Sequence, residues 1–259
     1  MNRPSVTSQV VALARAELDR PHSADGDPDA QQWLCRDMRF SPPAWLRPSI
    51  AVRTEFVDEQ VVTAIASGLR QVVICGAGYD DRALRFRTAG VRFFELDHPS
   101  TQADKARLLG VPSTGEAAVA LAAVDFSADD TGAVLEQAGH DDAQPTLFIC
   151  EGLMVYLDQA TCHRLLAALA GRAAPGSVLA ASLSTHADGL DSAEVLAAAN
   201  ARRRTSAAEP WRTILPLAEH LALLRQAGWQ VATTQRAPSS ADVPGDRQSL
   251  LVTARPQAA

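Results

Sequence analysis

The chain has 259 residues, 47% of them hydrophobic and 21% charged, with a formal net charge of −6. That is ample apolar material for one large domain, or a domain with a cap, and it is far from a disordered composition. The negative balance argues against wholesale nucleic-acid binding, and no apolar run approaches the ~20 residues of a membrane span.

The N-terminal stretch lacks the long apolar core of a signal peptide, so a cytoplasmic protein is expected. The four cysteines, Cys35, Cys75, Cys150 and Cys162, form no C-x-x-C, and no histidine stands at zinc spacing. No metal site is expected, and the cysteines read as small apolar core residues.

In chain order, Val6, Val10, Leu13 and Leu18 are apolar at helical spacing and predict a helix over residues 5–20. A turn-rich break at 21–28 and a second short helix over 29–36 follow. Three prolines in residues 41–48 argue against a regular helix or a central strand there. Residues 1–50 therefore read as a helical lid over the strand ends of a core spanning 51–259. An amphipathic helix is predicted over 57–69, from Val57, Val61, Ile65 and Leu69. It leads into Q-V-V-I-C at 71–75, a buried parallel strand. The turn Gly76-Ala77-Gly78 follows, then a helix-compatible run at 82–87 and a second strand over 91–96 ending in Asp97.

Pro99 can open a helix running to about residue 109, with Lys105 and Arg107 outward. A third strand at 118–125 ends in Asp125-Phe126, a helix follows around 133–138, and a fourth strand covers 146–150. Asp158 can cap a helix whose apolar face is Leu165, Leu166 and Leu169. A fifth strand is predicted over 177–183. Residues 185–213 break the rhythm as an insertion holding Arg202, Arg203, Arg204 and Trp211. A helix over 216–227 precedes strands at 230–235 and 249–253. The link between those two, with Pro238, Pro244 and Gly245, has no helix-length apolar pattern, so they are expected to pair antiparallel or avoid each other. The sum is an α/β fold: an open, mostly parallel sheet with one antiparallel strand near its edge.

The chemistry concentrates where strand, glycine turn, helix, strand and acid follow one another. Glycines let a ligand approach the backbone, and an acid roughly 20 residues on can accept from ribose hydroxyls. The third glycine of a dinucleotide fingerprint is replaced by Asp81. Asp80 and Asp81 would repel a pyrophosphate. An adenosine without phosphates fits better, and S-adenosylmethionine is such a ligand.

Four motifs then carry a resemblance: V-R-T-E-F-V-D around Arg53, V-V-I-C-G-A-G-Y-D-D-R, F-F-E-L-D-H-P, and C-E-G-L-M-V-Y-L. In order and spacing the chain resembles the class I S-adenosylmethionine-dependent methyltransferases over roughly residues 50–185. More narrowly it is similar to the leucine carboxyl methyltransferase type, with its bacterial branch of carboxyl and polyketide O-methyltransferases. The resemblance implies a Rossmann-like, mostly parallel seven-stranded sheet. It implies that Arg53 pairs with the cofactor's carboxylate, that Gly76 and Gly78 pass beneath it, and that Asp97 holds its ribose. Asp125 and Phe126 would border the adenine, with Asp125 accepting from its exocyclic amine; Glu151 would bind the cofactor's amino group, and Tyr156 would point toward the substrate. Arg15 is a candidate for an early basic cofactor contact. The chain departs from the family pattern at Cys75 and at Asp81, where the added charge is expected near the cofactor.

The expected activity is methyl transfer to an oxygen, first of all a carboxylate of a small, natural-product-like acid of secondary metabolism. A carboxylate is already ionised at neutral pH, so in-line transfer needs no general base. Tyr156 and an arginine from Arg202–Arg204 would orient it. The alternatives are methylation of a phenol or enol, a binding protein that keeps the fold without turnover, or a nicotinamide oxidoreductase, against which Asp81 and the terminal strand pair argue. A small molecule is the expected partner; oligomeric state has no sequence signal.

Overall fold

The computed structural model describes residues 4–110, 119–202, 209–237 and 248–257. Helix α1 (Val6–Arg15) is capped by Ser5, whose hydroxyl accepts from the Ser8 amide. A short α2 (Ala30–Leu34) follows, then a 3₁₀ turn over Ala44–Leu46. Helix α3 (Arg47–Ala66) starts well before the expected residue 57. Pro48 stands in its first turn, where a missing N–H costs nothing. The helix is therefore continuous across residue 50, and Arg53 lies within it rather than ahead of it.

The alternating units are β1 (Gln71–Cys75), α4 (Arg82–Arg85), β2 (Arg92–Asp97), α5 (Pro99–Leu109), β3 (Val119–Ala123), α6 (Thr131–Gln137), β4 (Thr146–Cys150), α7 (Gln159–Ala170) and β5 (Val178–His186). Helix α8 (Ser192–Arg202) belongs to the insertion. The two-residue β6 (Leu215–Pro216), α9 (Leu217–Gln226), β7 (Trp229–Ala237) and β8 (Gln248–Pro256) complete the chain. Asp158 caps α7 as expected, accepting from the Thr161 amide at 2.7 Å. Ala118 and the β7–β8 link with Pro238, Pro244 and Gly245 lie outside the described residues.

The strand order is β3-β2-β1-β4-β5-β8-β7, with β6 pairing to the end of β5 as an eighth, very short strand. The first five strands are parallel; β8 runs antiparallel to both β5 and β7. The expected strand pair thus forms, and it supplies the single antiparallel strand. Every residue of β1 and β4 is buried, as suits central strands covered on both faces. Alternate residues feed two cores. Val73, Phe94 and Phe148 face α7 and α9 through Leu165, Leu166, Leu169, Leu223 and Leu224, with Trp229 alongside. Val72, Phe93 and Ile149 face α3 and α4 through Val57, Val61, Ala83 and Phe86. The Trp229 indole donates to the Leu166 carbonyl at 2.8 Å.

Strand order reverses between β1 and β4, which opens a crevice at their carboxyl ends, where ligands of such sheets bind. The register aligns Cys75 with Leu96 and Cys150 with Ala181, so Gly76, Asp97, Glu151 and Ser182 emerge at one edge. None of the described helices is long and apolar enough to cross a membrane.

Candidate active site at the strand tips

The turn after β1 carries two glycines in the left-handed region, Gly76 (φ 69°) and Gly78 (φ 52°). A Cβ on Gly78 would stand 2.6 Å from the Ser8 Cβ of α1. Glycine there admits the lid helix to direct contact with the turn. The Gly78 amide donates to Asp97 Oδ2 at 2.6 Å, and the His98 amide donates to Oδ1 at 2.7 Å. Asp97 therefore lashes the turn to the end of β2, and burial pushes its carboxyl up. The cap of α5 is His98, whose ring nitrogen accepts from the Ser100 amide.

Beside this turn lies a buried network of five arginines and four carboxylates. Glu151, at the tip of β4, takes three guanidinium groups: Arg15 Nη2, Arg53 Nε and Arg82 Nη1, each at 2.7 Å. Burial works to raise its carboxyl, but Arg15, Arg82 and Arg53 outweigh that and hold it well below the usual carboxylate range. Asp80 receives Arg15 Nη1 at 3.0 Å and Arg82 Nη1 at 2.6 Å. Burial again acts upward, and Arg82 and Arg15 bring it down to about 2. Asp58, on α3, binds Arg20 through two nitrogens and Arg82 through one.

Asp81 corrects an expectation. It does not add free charge beside a ligand. Its carboxylate is fully buried between Arg20 Nη1 and Arg85 Nε, both at 2.6 Å. With Asp80 also neutralised, repulsion of phosphates by this pair is no longer an argument about the ligand. A second correction concerns Lys105, expected outward: it is buried, pairs with Glu95, and donates to the Asp80 carbonyl at 2.6 Å. Arg107 is exposed as expected and pairs with Asp104.

Of the residues singled out from sequence, the structure joins Arg53 to Glu151 directly and Gly78 to Asp97 directly. The weaker candidate Arg15 joins the first pair. Asp125 binds within its own turn, accepting from the amide and hydroxyl of Ser127 at 2.9 and 2.5 Å, which holds its carboxyl down. Phe126, next along, leans on the α7-side core. Tyr156 closes the 3₁₀ turn Met154–Tyr156 and packs, half-buried, with Val155, Ala199, Trp211 and Ile214. The insertion returns across this turn, with the Arg212 amide donating to the Val155 carbonyl at 2.7 Å. It also meets the lid, where the Thr7 amide donates to Glu209 Oε2 at 3.1 Å. Arg203 and Arg204 lie outside the described residues, as does the side chain of Arg202.

Sequence reasoning missed Arg20, Asp58, Arg82 and Arg85, and it read Asp80 as a free charge rather than a partner of Arg15 and Arg82. A signal existed for Asp58, an acid directly after Val57 on the apolar stripe of α3; Arg20 carried none. The donor set suits an amino-acid zwitterion: arginines for a carboxylate, Glu151 for an ammonium. Arg15 Nε is buried with no hydrogen-bond partner among the described residues, a donor available to such a ligand.

The model of the leucine carboxyl methyltransferase family matches residues 8–170. The chain belongs to that family. The match starts inside α1, so the lid helices fall within it, earlier than the resemblance over residues 50–185 suggested. A Parafrankia protein with the provisional name S-adenosyl-L-methionine-dependent methyltransferase is 36% identical over 205 residues, 75% of this chain and 64% of that protein. The chain spans about half to two-thirds of the length of the curated relatives it matches. A Thermobifida fusca structure, provisionally named a methyltransferase, has the same fold at TM-score 0.61 and 16% identity, covering 99% of this chain and 96% of that one. The 1,6-didemethyltoxoflavin-N1-methyltransferase of Burkholderia thailandensis, solved with 1,6-didemethyltoxoflavin and S-adenosylhomocysteine, aligns at TM-score 0.52 and 19% identity over 83% of this chain and 79% of that one.

Proposed function

We propose that this member of the family is an S-adenosylmethionine-dependent O-methyltransferase acting on a carboxylate of a small acid. The observation that carries the reading is Glu151 surrounded by Arg15, Arg53 and Arg82 at the tip of β4. Arg53 and Arg15 would take the cofactor's carboxylate and Glu151 its ammonium; Asp97 would take the ribose, with Asp125 and Phe126 at the adenine. The cofactor, when bound, supplies an electrophilic methyl group on a sulfonium.

Glu151 accepts from three arginines and is held ionised at all ordinary pH, so it does not serve as a proton acceptor. Asp80 is held the same way. An acceptor that arrives already ionised needs neither, which favours a carboxylate over a phenol or enol. Tyr156, between the β4 tip and the insertion, would orient the acceptor, and α1 over the glycine turn would exclude water.

Calorimetric titration with S-adenosylmethionine, and separately with NAD, tests the cofactor. Saturable one-to-one binding of the first alone is expected. Asp97→Ala is expected to weaken that binding roughly tenfold or more, at the scale of a charged hydrogen bond; wild-type affinity in this variant would remove the ribose assignment. A mass gain of one methyl group on carboxylic acids but not on phenols tests the acceptor class.

A further inference from the structure

The lysine of α5, expected outward, is buried. Lys105 and Glu95 are each only 1% exposed and pair with each other. A buried ammonium is costly unless every partner is in place. Here Gln102 fixes α5 by donating to the carbonyls of Glu95 and Ala122, and this delivers Lys105 beneath the glycine turn. Lys105 Nζ then donates to the backbone carbonyl of Asp80. The Asp80 side chain holds Arg82 at 2.6 Å, and Arg82 holds Glu151 at 2.7 Å. The grip of Lys105 on one carbonyl thus reaches the carboxylate at the centre of the site in two steps.

We propose that the buried Lys105–Glu95 pair is a positioning device for the cofactor turn, fixing residues 76–81 and through Asp80 the Arg82–Glu151 arrangement. Its bearing on cofactor affinity rests on the reading above; its bearing on the order of the turn does not. The charged groups facing Glu95 are Lys105 from α5, Asp80 from the turn after β1, and Asp97 on its own strand. The flanking strands present Ile74 and Leu121 in register with it. Burial pushes the Glu95 carboxyl up to about 7, against the pull of Lys105. The ionised pair is therefore half formed near pH 7, largely formed at pH 8 and largely lost at pH 6.

Global stability responds with the opposite sign. The folded state binds this proton more tightly than the unfolded chain, so the contribution of Glu95 is present below its unfolded value near 4.3 and lost as pH rises through about 7. A purely structural pair would leave the turn equally ordered at pH 6 and pH 8; a positioning pair loosens it at pH 6 without unfolding the domain.

The test is amide hydrogen exchange of residues 76–81 in the ligand-free protein at pH 6 and pH 8, corrected for intrinsic rates, with S-adenosylmethionine titrations in parallel. The wild type is expected to lose roughly tenfold in protection and in affinity at pH 6, the scale of one charged hydrogen bond. Glu95→Gln is expected to show the lower values at both pH values. A wild-type pH response in Glu95→Gln, or wild-type protection in a folded Lys105→Met, overturns the proposal. If Lys105→Met does not fold, Glu95→Gln decides alone. An exchange response without any binding of S-adenosylmethionine upholds the positioning role and removes the cofactor reading; binding without an exchange response does the reverse.

Discussion

At Glu151 three guanidinium groups meet one carboxylate with its side chain 2% exposed. Neutralising that carboxylate leaves cations facing one another out of water. Glu151→Gln is expected to cost about 3–5 kcal/mol in urea unfolding, as for other broken buried pairs, and to abolish cofactor binding. The same residues set an acid limit. The folded carboxyls of Asp80 and Glu151 are depressed, so their stabilisation is present above the unfolded values near 4 and lost as pH falls through the folded ones, about 2 for Asp80. The urea midpoint is expected to fall steeply between pH 4 and 2, and Asp80→Asn to flatten that slope; an unchanged slope would speak against the pairing. Arg53, inside α3, was singled out only by the family resemblance; Asp97 and Glu151 were legible in the sequence because strand tips have local signatures. Arg20 and Arg82 were not, because a buried arginine and a solvated one look alike until their distant acids are known.

At the scale of elements, α1 and the glycine turn constrain one another. Gly78→Ala adds a Cβ 2.6 Å from Ser8 at a backbone conformation that disfavours it. The expected result is displacement of α1, read as faster limited proteolysis before residue 16, with the sheet intact by circular dichroism. Retained protection of α1 would show that the helix tolerates the extra methyl. The strands were legible element by element, since β1 and β4 are short apolar runs ended by glycine or acid. Helix α3 was mistaken at its start: Pro48 reads as a breaker in the sequence, yet in the first turn it has no hydrogen bond to break. Lys105 was misplaced because α5 has a mostly polar sequence and gives no apolar stripe by which to orient it.

Across the whole molecule, two apolar cores share one sheet, and Phe148 links β4 to Trp229, with ring centroids 6.0 Å apart in an edge-on arrangement. Phe148→Ala is expected to destabilise the domain by about 3–5 kcal/mol, measured as a lower urea midpoint with unchanged m-value. A change in m-value instead would mean that the two faces unfold separately. The α/β architecture followed from the alternation of elements. How the lid and the insertion lie did not, because their contacts, such as Thr7 with Glu209, join stretches far apart in the chain with no periodicity in common.

The arginines that reach from the lid into the core also carry a consequence for descent. Arg20 serves Asp58 and Asp81 at once, and Arg15 serves Asp80 and Glu151. The lid is in effect the counterion of the core. The two halves cannot be exchanged freely between relatives, since a borrowed lid without a cation at position 20 would leave Asp58 with Arg82 alone and Asp81 with Arg85 alone in the interior. Positions 20 and 81 are tied as a charge pair, and a neutral residue in place of Asp81 relaxes the demand on Arg20 by one partner. The expected consequence is that these charges are exchanged as a matched set, not one at a time.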